Sequence, residues 1–589
     1  MVLRPRPGEG ERHALRLGGA VFRATLESME RLLMASVREE LVEVERRGGG
    51  VLAMRPAGVS AVDYAPVLVR LASTYSMGRF DLAELPTVEG DERPIDHLVE
   101  LLDRLSPELP ADRRRGLQRE LENSLATMRL SLEAEAALGV GEPGQGELAD
   151  WEGRVWVGHP LHPGARLRSG VTEEENRRFG PEWQARLDLP LLELPAEALH
   201  QVGGFCERLA ALYPRRLGGS AGRAVVPVHP WSAERDIRAR FADQFERRSW
   251  RFLEATLPAR PTMSFRSVIL ETETGESYHL KLPVAIQTTG ATRTVSVAAT
   301  QNGPLMSGFL ERFLAHPRVR EGGLYDPLHV MREPASFHWR SSGGEADDRS
   351  RFLSGLLRTG PGPAEAGRRW LLPAAALLEP RRDPLFVRAA MHYGVSPEAL
   401  FAEYVARLVP AQAVLCGRWG IGLEAHLQNT VVDLRGPAGQ LPSIHFWYRD
   451  LGGIRLHSEL LGEALAAAGL KEELEVPLFL EGSATSTGSR RDLASKFLYS
   501  VLQNHVGELL RAVARVRGGS AFEASCWRTA RDVLEEHRAA MGEDLARRVF
   551  ADTWDLKAMW RMRIASAVTE YTFSSVRSPW LAARRGASF

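Results

Sequence analysis

Cysteine is scarce: Cys206, Cys416 and Cys526 are the only three in 589 residues. They lie far apart and form neither a C-x-x-C pair nor a disulfide framework, which excludes a small disulfide-stapled fold and fits a reducing cytosol. An excess of charge of one sign is also missing. Lys+Arg and Asp+Glu stand at 75 each, so no global field draws the chain to nucleic acid or to an anionic membrane. No stretch has 18 consecutive apolar residues, and the start, Met1-Val-Leu-Arg-Pro-Arg-Pro, has no apolar h-region. The expectation is a soluble, cytoplasmic protein with neither a nucleic-acid nor a membrane partner. Three common enzyme plans are absent as motifs: the G-x-x-x-x-G-K-[ST] phosphate loop, a G-x-G-x-x-G after a strand, and the G-x-S-x-G elbow. Zinc is unsupported, since the histidines are not spaced as a ligand set and no cysteine pair joins them.

What remains is a chain of ordinary globular composition, 44% hydrophobic and 25% charged, and too long for one core. Its first part reads as helical. Apolar residues recur at helical spacing from Ala14 to Arg47, where Gly48-Gly49-Gly50 stops the run, and again from Asp112 to Leu138. A turn-rich stretch from Gly139 to Gly146 marks a boundary. The middle changes to strand character: Arg266 to Pro283 predicts a β-hairpin turning at Thr274-Gly275, and Arg293 to Ala298 a further strand. Ser341 to Arg369, rich in Gly, Ser, Pro and charge, predicts a mobile surface loop. Helices resume after Pro397, with a strand pair at Thr430–Asp433 and Ser443–Tyr448, and the chain is again mainly helical from Leu460. The fold class is mixed α+β, divided at residues 1–150, 151–385 and 386–589.

Four clusters carry chemistry. In Gly158-His-Pro-Leu-His162-Pro-Gly-Ala-Arg166, two His-Pro steps force an extended, rigid loop, because each proline keeps its predecessor out of the helical region. Two imidazoles and an arginine there suit an anion; a turn that merely packs is the alternative. Pro261 to Ser267 enters the hairpin that carries Lys281, and Thr288 to Arg293 follows. Ser264, Arg266, Ser267, Lys281 and Arg293 look like a polyphosphate clamp, Arg supplying forked donors and Lys a point charge; a surface hairpin with incidental charges is the alternative, and local sequence alone favours it. In the third, Glu424-x-His426-x-Gln428-Asn429 closes on a strand and is followed by Arg449-Asp450-Leu-Gly. An Asn and an Asp so placed resemble the metal-binding loops of kinase-like enzymes, although Glu-x-His-x-Gln-Asn stands where such enzymes have His-Arg-Asp; a structural polar network is the alternative. In the fourth, Lys557, Arg561 and Arg563 share an apolar stretch with Met559 and Trp560, read as one helix.

Taken together and in order, these clusters resemble the siderophore synthetases that work without a nonribosomal peptide synthetase, the NIS or IucA/IucC-type family. The matching elements are His159-Pro-x-His162-Pro, His229-Pro-Trp, Ser264-x-Arg266, Lys281-Leu, Thr289-x-x-x-Arg293, Glu424-x-His426-x-Gln-Asn429, Arg449-Asp450 and Lys557-Ala-Met. The resemblance implies a cupped hand: a helical N-terminal thumb, sheet-bearing fingers and a mixed palm with a helical C-terminal part. It implies a ligase that uses ATP and Mg²⁺ to adenylate a carboxylate, commonly citrate or a citryl derivative. An amine or hydroxyl then captures the adenylate with release of AMP and pyrophosphate, in a homodimer. Carried over residue by residue, His162, Ser264, Arg266, Ser267, Lys281 and Asn429 are the ATP contacts. Thr289, Arg293, His426 and Lys557 form the carboxylate site, with Arg293, His426 and Lys557 as the catalytic groups. Glu424, Asn429 and Asp450 are the metal candidates. The departures are Arg166 where lysine is usual, Ser267 where threonine is usual, and Ser578-Pro-Trp580 in place of Asn-Pro-Leu. Two other readings stay open: a kinase-like phosphotransferase, from Asn429 and Asp450 alone, and a non-catalytic siderophore- or iron-handling protein.

Overall fold

A computed structural model describes residues 19–60, 64–217, 222–288, 290–341, 348–362, 368–480, 482–566 and 571–581. Helix and sheet are mixed throughout. At the centre lies an eight-stranded antiparallel sheet, in the order Leu199–Val202, Ala335–Trp339, Ser354–Thr359, Tyr278–Lys281, Ser267–Leu270, Arg251–Pro261, Leu187–Pro195 and Arg223–Pro227. The predicted hairpin is its middle, with Ser267 opposite Lys281. A four-stranded sheet places Leu328–Val330, Ser443–Tyr448, Thr430–Arg435 and Arg369–Pro373 side by side, and contains the second predicted pair.

Three local expectations are corrected. The run from Ala14 to Arg47 is not one helix: the helix Gly19–Arg38 ends, and Val42–Arg47 is a strand paired with Val51–Pro56. Gly48-Gly49-Gly50 is thus a hairpin turn, with φ of 71° at Gly49 and 75° at Gly50, a region that glycine enters without strain. The N-terminal part therefore carries a five-stranded sheet besides its helices. The strand expected from Arg293 to Ala298 does not form: residues 293–296 are irregular, and Val297 and Ala298 open the helix Val297–Ala315, which Ser296 caps by accepting the Ala299 N–H at 3.1 Å. The stretch from Ser341 to Arg369 is not simply a loop. Its residues 342–347 and 363–367 lie outside the described residues, but Ser354–Thr359 is a buried strand of the central sheet. The apolar Leu353, Leu356 and Leu357, all buried, override the polar composition around them.

The long helix Ala111–Leu138 forms as its leucine stripe predicts, burying Leu117, Leu121, Met128 and Leu132. Pro397–Gly417 is the one helix, among the described residues, long and apolar enough to cross a membrane, and 72% of that window is buried in the core. Trp580, in the departure from Asn-Pro-Leu, packs edge-on to Trp527 and Trp554 at 5.6 and 5.4 Å. Trp560 inserts into the N-terminal apolar cluster, so the C-terminal stretch and the N-terminal part share a core.

Candidate active site

The turn from Thr262 to Ser267 is built by its own hydroxyls. Thr262 donates through its backbone N–H and Oγ1 to the Ser267 carbonyl at 2.9 and 2.8 Å, and the Ser267 N–H reaches Ser264 Oγ at 3.2 Å. Phe265 has a φ of 67°, and its ring stacks on His229 with the Arg168 guanidinium on its face at 4.9 Å. Held in this way, Ser264 and Arg266 line a cavity of ≈ 320 Å³. On the returning strand, Lys281 donates to Asp450 Oδ1 at 2.5 Å and so ties the hairpin to the loop after Ser443–Tyr448.

The His-Pro loop is rigid for a reason the prolines only half supply. His159 Nδ1 accepts the N–H groups of Leu161 and His162 at 3.2 and 3.1 Å, and His162 Nδ1 accepts that of Gly164 at 2.9 Å. Both rings are used as acceptors; His162 is buried and His159 half-buried. Burial pushes His159 well below the ordinary imidazole value, and burial with Arg563 and Arg293 pushes His162 down to about 4. His159 faces the cavity, while His162 lies behind the wall, edge-on to Trp560 at 6.2 Å. Arg166 lines the cavity too, but its guanidinium pairs with the buried Glu182, as Arg168 does at 2.6 Å.

The Glu424–Asn429 segment turns on His426. Its carbonyl accepts the Asn429 N–H at 3.0 Å and Thr430 Oγ1 at 3.1 Å, and its Nδ1 accepts the Gln428 N–H at 3.2 Å. The ring proton therefore sits on Nε2, and burial keeps the ring below its ordinary pKa. The Asn429 amide donates to the Glu424 carbonyl at 3.2 Å. Glu424 is bound by Lys496 at 2.6 Å; burial alone would raise its pKa, but Lys496, His426 and Lys557 hold it at about 2. Asp450 adopts a left-handed φ of 69° and is likewise held ionised against burial by Lys281, Arg358 and Arg266.

Lys557 is not on a helix. It ends the strand Thr553–Lys557, in which Trp554 and Leu556 alternate inward, and the helix starts only at Met559. Its ammonium stands 3.8 Å over the Tyr571 ring. Arg561 and Arg563, read from sequence with it, are engaged elsewhere: Arg561 on the Glu39 and Glu40 carbonyls, Arg563 on Glu120.

One cavity thus gathers Ser264, Arg266, Arg293, Glu424, His426, Asn429, Asp450 and Lys557. Ser267, Lys281 and His162 are not at its wall, and Thr289 lies outside the described residues. Arg293 donates through Nε to Thr288 Oγ1. Sequence reasoning missed Arg168, Lys496, Tyr499, Ser500, Asn504 and Tyr571, which also line it. Four of these sit on the π-helical stretch Lys496–Val506, buried along its whole length. The signal was there: Lys496, Ser500 and Asn504 recur every fourth residue of the run Lys496–Val506, and π-helical turns favour functional sites. Among the described residues the wall carries six cations (Arg166, Arg168, Arg266, Arg293, Lys496, Lys557) and two carboxylates (Glu424, Asp450). Such a cavity favours a polyanion.

Comparison with known proteins agrees. Residues 147–379 match the IucA / IucC family, and residues 398–571 match the ferric iron reductase FhuF-like transporter family. Staphyloferrin A synthase of Staphylococcus aureus is 25% identical over 458 residues, 73% of this chain and 72% of that protein. D-ornithine–citrate ligase of the same organism is 24% identical over 473 residues, 73% of this chain and 69% of that one. The fold is that of the petrobactin biosynthesis protein AsbB of Bacillus anthracis (TM-score 0.79, 16% identity, 98% and 99% of the two chains). ATP-bound aerobactin synthetase IucA of Klebsiella pneumoniae matches with a TM-score of 0.75 at 19% identity, over 94% and 99%. In sequence the chain is similar to siderophore synthetases and citrate ligases, with residues 147–379 fitting the IucA / IucC family.

Proposed function

We infer that this protein is a cytoplasmic, ATP-dependent siderophore synthetase that adenylates a carboxylate, citrate or a citryl derivative, and joins it to an amine or hydroxyl. The observation that carries the reading is the cavity itself: even with Arg166 and Arg168 taken by Glu182, four cations (Arg266, Arg293, Lys496, Lys557) face two carboxylates, on the loops that the family motifs occupy. Ser264, Arg266 and Asn429 at the wall, with Lys281, Ser267 and His162 behind them, are the proposed ATP contacts. Arg293, His426 and Lys557, with Thr289, would hold the acid. A carboxylate oxygen attacks the α-phosphorus, pyrophosphate departs, and an acyl-adenylate forms; the nucleophile then adds to the acyl carbon, loses a proton, and AMP leaves. Arg293 and Lys557 offset the charge gathered on the acid and the phosphorus. His426, with Nδ1 already an acceptor, offers Nε2–H as a donor, which suits orienting the carboxylate rather than taking the proton of the nucleophile.

Glu424 and Asp450, whose side chains are 27% and 28% exposed, with the Asn429 amide, suit a magnesium ion that shares nucleotide phosphates with one or two carboxylates. Bound there, the ion would neutralise phosphate charge. Among the described residues no group of three His, Cys, Asp or Glu side chains converges as a metal cage. A homodimer is part of the proposal, checked by light scattering at micromolar concentration.

The test is a hydroxylamine-trapping screen of citrate, citryl half-amides, α-ketoglutarate and succinyl-amines with ATP and Mg²⁺. Hydroxamate from citrate or its derivatives is the expected result; inert citrates beside another active acid would overturn the acid assignment alone. The match at residues 398–571 favours one second reading, a non-catalytic iron-chelate binder. Tight ferric-siderophore binding without ATP consumption would support it.

A further inference from the structure

We propose that Glu152, which does not line the cavity, is the positioning residue that fastens three of its loops to one another. The inference rests on the functional reading above for its kinetic consequences but not for its geometry. Glu152 ends the short helix Leu148–Glu152, ahead of the His-Pro loop, and its carboxylate is fully buried. One oxygen, Oε1, accepts Arg449 Nη1 at 2.5 Å. The other, Oε2, accepts Arg449 Nη2 at 3.2 Å and the Met263 N–H at 3.1 Å. A single carboxylate therefore holds both the Met263–Arg266 turn and the Arg449–Asp450 loop.

Arg449 extends the grip to a third loop. Its Nε and Nη2 donate to the Gln428 carbonyl at 3.0 and 2.8 Å, and its backbone N–H to the Asn429 carbonyl at 3.0 Å. The loop bearing His426 and Asn429 is thereby set against Asp450, and both against Ser264 and Arg266. Bidentate Arg–carboxylate geometry fixes orientation as well as distance, and burial removes water as a substitute partner. Glu152 and Arg449 touch no reacting atom in this scheme. They act by keeping groups on three separate segments in one register, where a misplacement of about 1 Å costs about 100-fold in rate.

The test uses Glu152→Gln and Arg449→Lys in the full chain. Glu152→Gln turns one acceptor into a donor that faces the Arg449 guanidinium. Arg449→Lys leaves the buried carboxylate a cation but deletes the fork to Gln428, so it guards against a Glu152→Gln protein that fails to fold. Hydrogen–deuterium exchange is read on peptides covering the Met263, Gln428 and Asp450 loops. The expected result is faster exchange in all three together, in either variant, with the edge strand Arg223–Pro227 unchanged. Acid activation by the folded variants should fall by about 100-fold, with KM for ATP and for the acid both raised. Combining the substitutions should be no worse than the more severe single one. Glu523→Gln, which breaks a buried pair with Arg79 at 3.5 Å away from the cavity, should lower stability without this kinetic signature. Unchanged exchange in the three loops, or wild-type kinetics in folded Arg449→Lys, would overturn the proposal. If the wild type activates no acid, the functional reading fails, and the exchange measurement still decides whether Glu152 is the clamp.

Discussion

Two sets of buried charge in this protein are built on opposite rules. Between the helix Gly19–Arg38 and the helical stretch Lys496–Ala514, five arginines (Arg31, Arg79, Arg381, Arg511, Arg515) meet five carboxylates (Glu27, Glu30, Asp81, Glu508, Glu523). Asp81 alone receives Arg381, Arg511 and Arg515 at 3.2, 2.9 and 2.6 Å. Around the cavity six cations meet three carboxylates once Glu182, which takes Arg166 and Arg168 from behind the wall, is counted, and Lys557 has an aromatic face rather than an acid beneath it. The first set is complete within the protein and joins the N-terminal part to the C-terminal helices. The second leaves positive charge for something else to complete. Burial is common to both, so stoichiometry separates a structural network from a binding site.

The widest gap between the two should appear on breaking the matched set. Asp81→Asn removes the acid that three guanidinium groups share and leaves Arg515 without its carboxylate partner, while Arg381 and Arg511 keep Glu30; we expect a loss of about 3 kcal/mol in denaturant unfolding, with kcat/KM of the folded fraction unchanged. A kinetic defect beyond the lost fraction would erase the distinction. Next in size, Arg293→Ala and His426→Ala should each reduce ATP–pyrophosphate exchange by at least about 100-fold, with unfolding midpoints at the wild-type value. Near-normal exchange in either variant would remove that residue from the site. Lys557→Ala should raise the carboxylate KM by about 10-fold with kcat retained, as for an interaction made equally in ground and transition states. Its stability should equal or exceed that of the wild type, since an incompletely balanced cation is removed.

The smallest effect is a pH trend. Burial pushes Lys281 down to about 8, with Asp450 opposing and Arg266 and Arg358 adding to the shift. Its charge is present below about pH 8 and lost above it, so KM for ATP should rise with pH through this value. An unfolded lysine keeps its proton to about 10.4. Folding therefore releases a proton between about 8 and 10, and stability should rise with pH across the same window. Lys281→Arg should abolish both trends; persistence of the KM trend in that variant would assign it to another group.

Much of this was legible in the sequence where spacing and chemistry coincide. The hairpin around Thr274-Gly275 formed with Ser267 opposite Lys281, and Thr430–Arg435 pairs with Ser443–Tyr448 as its apolar runs imply. Eight of the residues carried over from the family motifs converge on one cavity, and the turns bearing Ser264, Arg266, His426 and Asn429 are closed by their own local hydrogen bonds. What was not legible depends on partners distant in the chain. Lys557 becomes a strand residue because Phe573–Arg577 pairs with its segment, and no local signal announces that pairing. Ser354–Thr359 joins the central sheet through Tyr278–Lys281 and Ala335–Trp339, although its flanks read as loop. Arg166 looks available to an anion until Glu182, sixteen residues on, is seen to take its charge.

The central claim is that the unbalanced cavity serves acyl-adenylate formation, and the fate of the nucleotide tests it most directly. Purified protein with ATP, Mg²⁺, citrate or a citryl half-amide, and hydroxylamine should yield AMP and pyrophosphate in step with citryl hydroxamate. ADP with a phosphorylated acceptor, and no pyrophosphate, would contradict it.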